Sequence, residues 1–191
     1  MARLRTFIGI PIDKGTRVNL LTLQETLAEV APDVKWVEPE NLHLTLLFLG
    51  EVDDREVHSV CRVVADVCAS QPPFSMSLEK AGSFGNPRRP RTLWVGVGAG
   101  AQEVCALHDA LEPPLLDLGC YRREERAYTP HLTIGRVRSD QPNDALAKLL
   151  SRQTTWQGGQ MNVREVHVMS SELGRDGPTY TILSRAKLGS S

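Results

Sequence analysis

The chain has 191 residues, 41% hydrophobic and 24% charged, with a formal net charge of −1. That length suits one domain or two small lobes sharing a core. The near-neutral balance excludes a protein that coats nucleic acid by bulk positive charge, and no apolar run approaches the roughly 20 residues of a membrane-spanning helix.

The stretch RTFIGIPI at residues 5–12 reads as a first strand rather than a signal peptide, because Asp13 cuts it short and no cleavage site follows. A helix is expected over residues 14–30, where Leu20, Leu23, Leu27 and Val30 recur at helical spacing and Pro32 stops it. VKWVEPENLHLTLLFLG then gives a short strand, a turn at Pro39 and a longer strand over residues 42–49. Asp53 and Glu56 form a capping-box pattern before a helix running to Ala69. Val57, Val60, Cys61, Val64, Val67 and Cys68 make one apolar stripe on it.

FSMSLEKAG alternates like a half-buried strand, SFGNPRRPR reads as a loop, and TLWVGVG as another strand. A third helix covers residues 102–111 and is interrupted at Pro113 and Pro114. Residues 131–137 form a strand, and Asp140 and Pro142 begin a short helix through Leu150. Residues 161–188 read as two strands around a GRDGP turn, before a loose GSS end. Strands fall in adjacent pairs between helices, which fits an antiparallel α+β class better than strict βαβ alternation. No low-complexity linker separates independent domains.

The four cysteines, Cys61, Cys68, Cys105 and Cys120, include no CxxC pair, so zinc and thioredoxin-type readings are weak. Free cysteines on an apolar helix face point to a reducing compartment, and the cytoplasm is expected.

Two segments carry the same pattern: HLTLLFLG from His43 and HLTIGRVR from His131. Side chains alternate along a strand, so His43 and Thr45 share one face, as do His131 and Thr133, each backed by apolar residues on the other face. Such a pair suits metal-independent phosphoester cleavage. One imidazole takes a proton from water and the other gives one to the departing oxygen. The threonine hydroxyls donate to the non-bridging oxygens as charge builds. A pseudo-twofold relation between the strands would set one imidazole on each side of an in-line displacement. Two histidines are too few for a zinc site; His167 is a third ligand only in principle, without HxH or HExxH support. His108 reads as structural and His58 as solvated.

At these residues the chain resembles the 2H phosphoesterase superfamily, and within it the RNA 2',3'-cyclic phosphodiesterases, or 2'-5' RNA ligase-like proteins. The blocks RTFIGIPID, VKWVEPENLHLTLLFLGEV, GSFGNPRRPRTLWVGV, YTPHLTIGRVR and VMSSEL carry the resemblance over nearly the whole chain. It implies an α+β, bilobal pseudo-twofold fold, with two antiparallel sheets facing a central cleft and helices outside. Residues 1–191 would then be a single domain of two similar, interleaved lobes, one carrying His43 and Thr45, the other His131 and Thr133. The implied reaction is hydrolysis of terminal 2',3'-cyclic phosphates of RNA or nucleotides to 2'-phosphates, without metal or other cofactor, by a monomer with no membrane association. His43 is assigned as proton donor and His131 as proton acceptor; Thr45, Thr133 and Arg136 would bind the phosphate. Strict alternation puts Arg136 on the opposite face from His131, so it reaches the cleft only if the strand bulges or ends near Gly135. Arg88, Arg89 and Arg91 are candidate guides for an RNA backbone. Phe84 is a candidate stacking surface, while Trp36 and Trp94 read first as core. The alternatives are 2'-5' joining or cleavage by the same fold, and a non-catalytic nucleotide- or RNA-binding module.

Overall fold

The computed structural model describes residues 3–123, 126–174 and 177–189. In chain order its elements are β1 (Arg3–Pro11), α1 (Lys14–Ala28), β2 (Val34–Trp36), β3 (His43–Asp53), α2 (Asp54–Ala69), β4 (Phe74–Asn86), β5 (Arg89–Val97), α3 (Ala101–Asp117), β6 (His131–Val137), α4 (Asp144–Ser151), β7 (Gln157–Val163), β8 (Glu165–Leu173) and β9 (Pro178–Lys187). Single 3-10 turns lie at Pro39–Asn41 and Gln153–Thr155. The strands form two sheets, ordered β3-β1-β8-β9 and β2-β6-β5-β4-β7, and every pairing is antiparallel. This is the expected α+β class.

Two of the four helices among the described residues cross between the sheets. α1 follows β1 of the four-stranded sheet but packs against β6 and β7 of the five-stranded one. α3 follows β5 of the five-stranded sheet but packs against α2 and β3. α2 covers β3, β8 and β9, and α4 lies against β4 and α1. One continuous apolar cluster results, with Ile8, Leu44 and Val168 from one sheet and Leu93, Leu132 and Ile134 from the other. All six are fully buried. Each such side chain contributes roughly 1.5–3 kcal/mol relative to exposure.

Three expectations change. The SFGNPRRPR stretch is not a loop: β4 and β5 run through it as a hairpin that turns at Pro87 and Arg88. Asn86 Oδ1 accepts from the Arg88 amide (2.9 Å), and the Arg88 guanidinium grips Asp144. α3 continues through Pro113 and Pro114 to Asp117, because Val104, Leu107, Leu111 and Leu115 bury one unbroken face. The Pro114 carbonyl still accepts from the Leu118 amide at 3.3 Å. The C-terminal region holds three strands, not two, since MNV ends a separate strand, β7, whose Gly158 and Gly159 hide it from propensity. At α2, Asp53 caps the Arg55 amide and also holds the Arg55 guanidinium. Glu124 and Glu125, Arg175 and Asp176 of the GRDGP turn, and the last two serines lie outside the described residues.

Candidate active site

The two histidine strands are built alike, down to an irregularity that alternation alone does not foresee. β3 from His43 and β6 from His131 share one burial sequence over six residues: half-buried, buried, half-buried, buried, buried, exposed. The doubled buried step is a bulge. Against β1, the register moves from Gly9–Thr45 to Ile8–Leu47, leaving Leu46 as the extra residue. Against β5, it moves from Trp94–Thr133 to Leu93–Gly135, leaving Ile134 as the extra residue. An extra residue shifts the phase of alternation, so the next exposed side chain returns to the histidine face. That side chain is Arg136 in β6 and Phe48 in β3.

The bulge in β6 is held by a residue with no obvious signal of its own. Gln24, buried on the inner face of α1, donates from Nε2 to the Ile134 carbonyl (2.8 Å) and the Val37 carbonyl (2.9 Å). Its one sequence trace is that a polar residue interrupts the stripe of Leu20, Leu23 and Leu27. Gly135 is small for a packing reason. A Cβ there would lie 2.7 Å from Val34 Cγ1 and 3.0 Å from Trp36 Cε3.

Both imidazoles are oriented in the same way. His43 Nδ1 lies 2.7 Å from the carbonyl of Asn41, and His131 Nδ1 lies 2.8 Å from the carbonyl of Thr129. A carbonyl only accepts, so each Nδ1 carries hydrogen and each Nε2 is left for chemistry. Asn41 is itself fastened, its Nδ2 donating to the Pro178 carbonyl (3.0 Å) at the start of β9. The Thr45 hydroxyl donates to His43 Nε2 (3.0 Å). Each ring also stands against aromatic neighbours. His43 lies 4.8 Å from Phe7 and 5.3 Å from Tyr180 between ring centres, and His131 lies 4.9 Å from Phe84.

A cleft of about 710 Å³ opens between the sheets, within the range of small-molecule sites. His43, Thr45 and Phe48 line it from one sheet, and Thr133 and Arg136 from the other. Arg5, Lys35, Glu38 and Glu40 add charge to its walls. Four of the five expected site residues therefore meet in one space. His131 is not a wall of the cleft; it stands two residues before Thr133 on the same strand face, beside Phe84. Trp36 packs on the core but also lines the cleft, so it is not purely a core residue. Trp94 is half-buried with its ring 5.5 Å from that of Phe84.

Burial pulls the His43 imidazole below its ordinary pKa, opposed by the Asn41 carbonyl, which favours the protonated ring. Burial pushes the Tyr180 phenol up, against the nearby charges of Arg136 and Arg5. Burial likewise raises all four thiols, Cys68 to about 12, which makes them poor nucleophiles. His167 is buried and bonded to Glu165 at 2.7 Å, while His58 is exposed and His108 stacks on Tyr128. Among the described residues no group of three or more His, Cys, Asp or Glu side chains is arranged to hold a metal ion.

A family model described as the 2'-5' RNA ligase superfamily matches residues 20–175. The RNA 2',3'-cyclic phosphodiesterase of Methanothermobacter thermautotrophicus is 38% identical over 179 residues, which cover 94% of this chain and 96% of that protein. The protein of the same name in Aquifex aeolicus is 32% identical, over 99% of this chain and 100% of its own length. Among solved structures, TT0787 of Thermus thermophilus has a TM-score of 0.81 at 25% identity, covering 98% of this chain and 99% of that one. E. coli LigT in apo form has a TM-score of 0.75 at 23% identity, covering 99% of each chain. The matched span takes in both bulged histidine strands and Gln24, which braces one of them, and the chain belongs to the 2'-5' RNA ligase superfamily.

Proposed function

We propose that the protein hydrolyses 2',3'-cyclic phosphates at the ends of RNA, or on nucleotides, to 2'-phosphates, with His43 and His131 as the proton-transfer pair. The observation that carries this reading is the duplicated strand, in which both rings keep Nδ1 on a carbonyl two residues upstream. Near full-length relatives named RNA 2',3'-cyclic phosphodiesterase support the substrate.

In this mechanism, His131 Nε2 accepts a proton from water as the water oxygen bonds to phosphorus. The bond from phosphorus to the 3' oxygen breaks, and His43 Nε2 gives that oxygen a proton. The 2'-phosphate and a free 3' hydroxyl result. Arg136, Thr45 and Thr133 meet the charge on the non-bridging oxygens. His43 needs a proton to act as acid, yet burial disfavours its charge in the free protein. The anionic phosphate supplies the opposing charge, so substrate binding arms the acid. The Thr45 hydroxyl, no longer accepted by a protonated Nε2, then turns to the phosphate.

The same reading makes the chain one domain of two interleaved lobes, a monomer, working in the cytoplasm. No helix among the described residues is long and apolar enough to cross a membrane.

The test is hydrolysis of each 2',3'-cyclic nucleotide in EDTA, with the product identified as the 2'- or 3'-phosphate. The 2'-phosphate is expected, with a loss on the order of 100-fold or more in His43→Ala and in His131→Ala. A folded His43→Ala variant that keeps most of its activity sinks the mechanism. Tight binding of a 2'-phosphorylated nucleotide without turnover favours a binding module instead.

A further inference from the structure

Phe84 is 43% exposed, although its ring lies 4.9 Å from that of His131 and at 89° to it. It is set between Trp94, at 5.5 Å, and open solvent. Like His131, Phe84 lies outside the lining of the 710 Å³ cleft, so its exposed ring stands beside that histidine and next to the phosphate-site residues Thr133 and Arg136 rather than among them. The sheet register explains its company. Phe84 pairs with Thr92, which in turn pairs with Arg136, so all three share the cleft-side face of the five-stranded sheet. A bulge at Arg91 separates the Phe84–Thr92 pair from Gly85–Pro90. The next pair, Asn86–Arg89, is two steps from Phe84 along β4, which returns Arg89 to the Phe84 face.

The three arginines of this hairpin are not equivalent. Arg88 is tied by two bonds of 2.8 and 3.0 Å to Asp144. Arg91 reaches Asp140 only at 3.4 Å, with both side chains mostly exposed. Arg89 is exposed and forms no ion pair among the described residues. A flat aromatic ring and an uncompensated guanidinium on one strand face are what a single-stranded nucleotide needs, the base stacking on the ring and its phosphate meeting the cation.

We infer that Phe84 and Arg89 form a second nucleotide subsite, which takes the penultimate nucleotide of an RNA whose cyclic end lies in the cleft. This rests on the phosphodiesterase reading and deepens it: the preferred substrate is an RNA strand, not a free cyclic nucleotide. The terminal nucleotide occupies the cleft between His43 and Arg136, and the chain leaves past His131 over the β4-β5 hairpin. Arg89, not Arg88, contacts the phosphate there.

The experiment compares 2',3'-cyclic AMP with a short oligoribonucleotide ending in the same cyclic adenosine, in wild type, Phe84→Leu, Phe84→Tyr and Arg89→Ala. Phe84→Leu keeps apolar support for His131 but removes the stacking face. It is expected to lower kcat/KM for the oligonucleotide by about tenfold, and for the mononucleotide far less, while Phe84→Tyr retains both. Arg89→Ala is expected to reduce the salt slope for the oligonucleotide by about one, and not for the mononucleotide. Equal losses on both substrates, or no loss on either, overturn the subsite. If wild type hydrolyses neither substrate, the phosphodiesterase reading fails by itself. Affinity for the 2'-phosphorylated oligonucleotide and mononucleotide then decides the subsite, with a loss confined to the oligonucleotide in Phe84→Leu supporting it and its absence overturning it.

Discussion

The hydroxyl of Tyr128 donates a 2.8 Å hydrogen bond to the backbone carbonyl of Thr45. Tyr128 stands three residues before His131, and Thr129 between them supplies the carbonyl that orients the His131 ring. β3 is an edge strand, so carbonyls on its outer side have no ladder partner. Tyr128 takes one of them and ties the approach to the second histidine strand directly to the first. Its ring is braced by a parallel stack on His108, 4.1 Å away at 4°. Burial pushes the phenol well above its ordinary pKa, so it remains a donor at any working pH.

Tyr128→Phe keeps the stack on His108 and loses only the bond. Stability should fall by about 1 kcal/mol in urea unfolding. Turnover should fall by about tenfold or more, because the two half-sites lose their common register. A stability loss with unchanged kcat would show that the bond serves folding alone.

The pH dependence assigns the two proton roles. Burial places the His43 pKa below the ordinary histidine value of about 6.5 in the free protein. If His43 is the acid, kcat/KM falls as pH rises through that low value, since the required proton is lost. In the occupied cleft the phosphate favours the charged ring, so the matching limb of kcat lies at higher pH. Rate profiles from about pH 4 to 9 measure both limbs. A kcat/KM that rises with pH through the low value makes His43 the base and exchanges the roles.

Arg136 reaches the cleft only through the Ile134 bulge. Arg136→Ala should cost about 10- to 100-fold in kcat/KM, the range of a bond to a charged group. Arg136→Lys should restore only part of it, because an ammonium cannot hold two phosphate oxygens as a planar fork does. Steady-state kinetics on a cyclic nucleotide provide the measurement, and full rescue by lysine would reduce Arg136 to a general positive charge.

Two glycines should respond in opposite directions. Gly135→Ala puts a methyl group 2.7 Å from Val34 Cγ1, and its overpacking should cost about 1–3 kcal/mol and shift Trp36 fluorescence. Gly15→Ala lies in the first turn of α1, with nothing nearer than Asp13 Oδ1 at 3.8 Å. It should stabilise by about 0.4–1 kcal/mol. Denaturant midpoints compare the two, and equal effects would mean that the crowding at Gly135 relaxes.

The amino-acid sequence was enough for the α+β class, the positions of α1 and α2, and the shared strand face of His43 with Thr45 and of His131 with Thr133, since each rests on local periodicity and on a repeated pattern. It also marked Gly135 as the neighbourhood of a bulge. Other features depended on distant residues. Gln24 holds the bulge across more than a hundred positions of chain, and buried leucines carry α3 through two prolines. Tyr128 joins one half-site to the other, and the hairpin turn at Arg88 is secured by Asp144. These contacts leave no period in the sequence, because a hydrogen bond or a packed face constrains two partners wherever the chain has put them. Local pattern determined which side chains share a strand face, and only the folded chain decided that Arg136 joins Thr133 there.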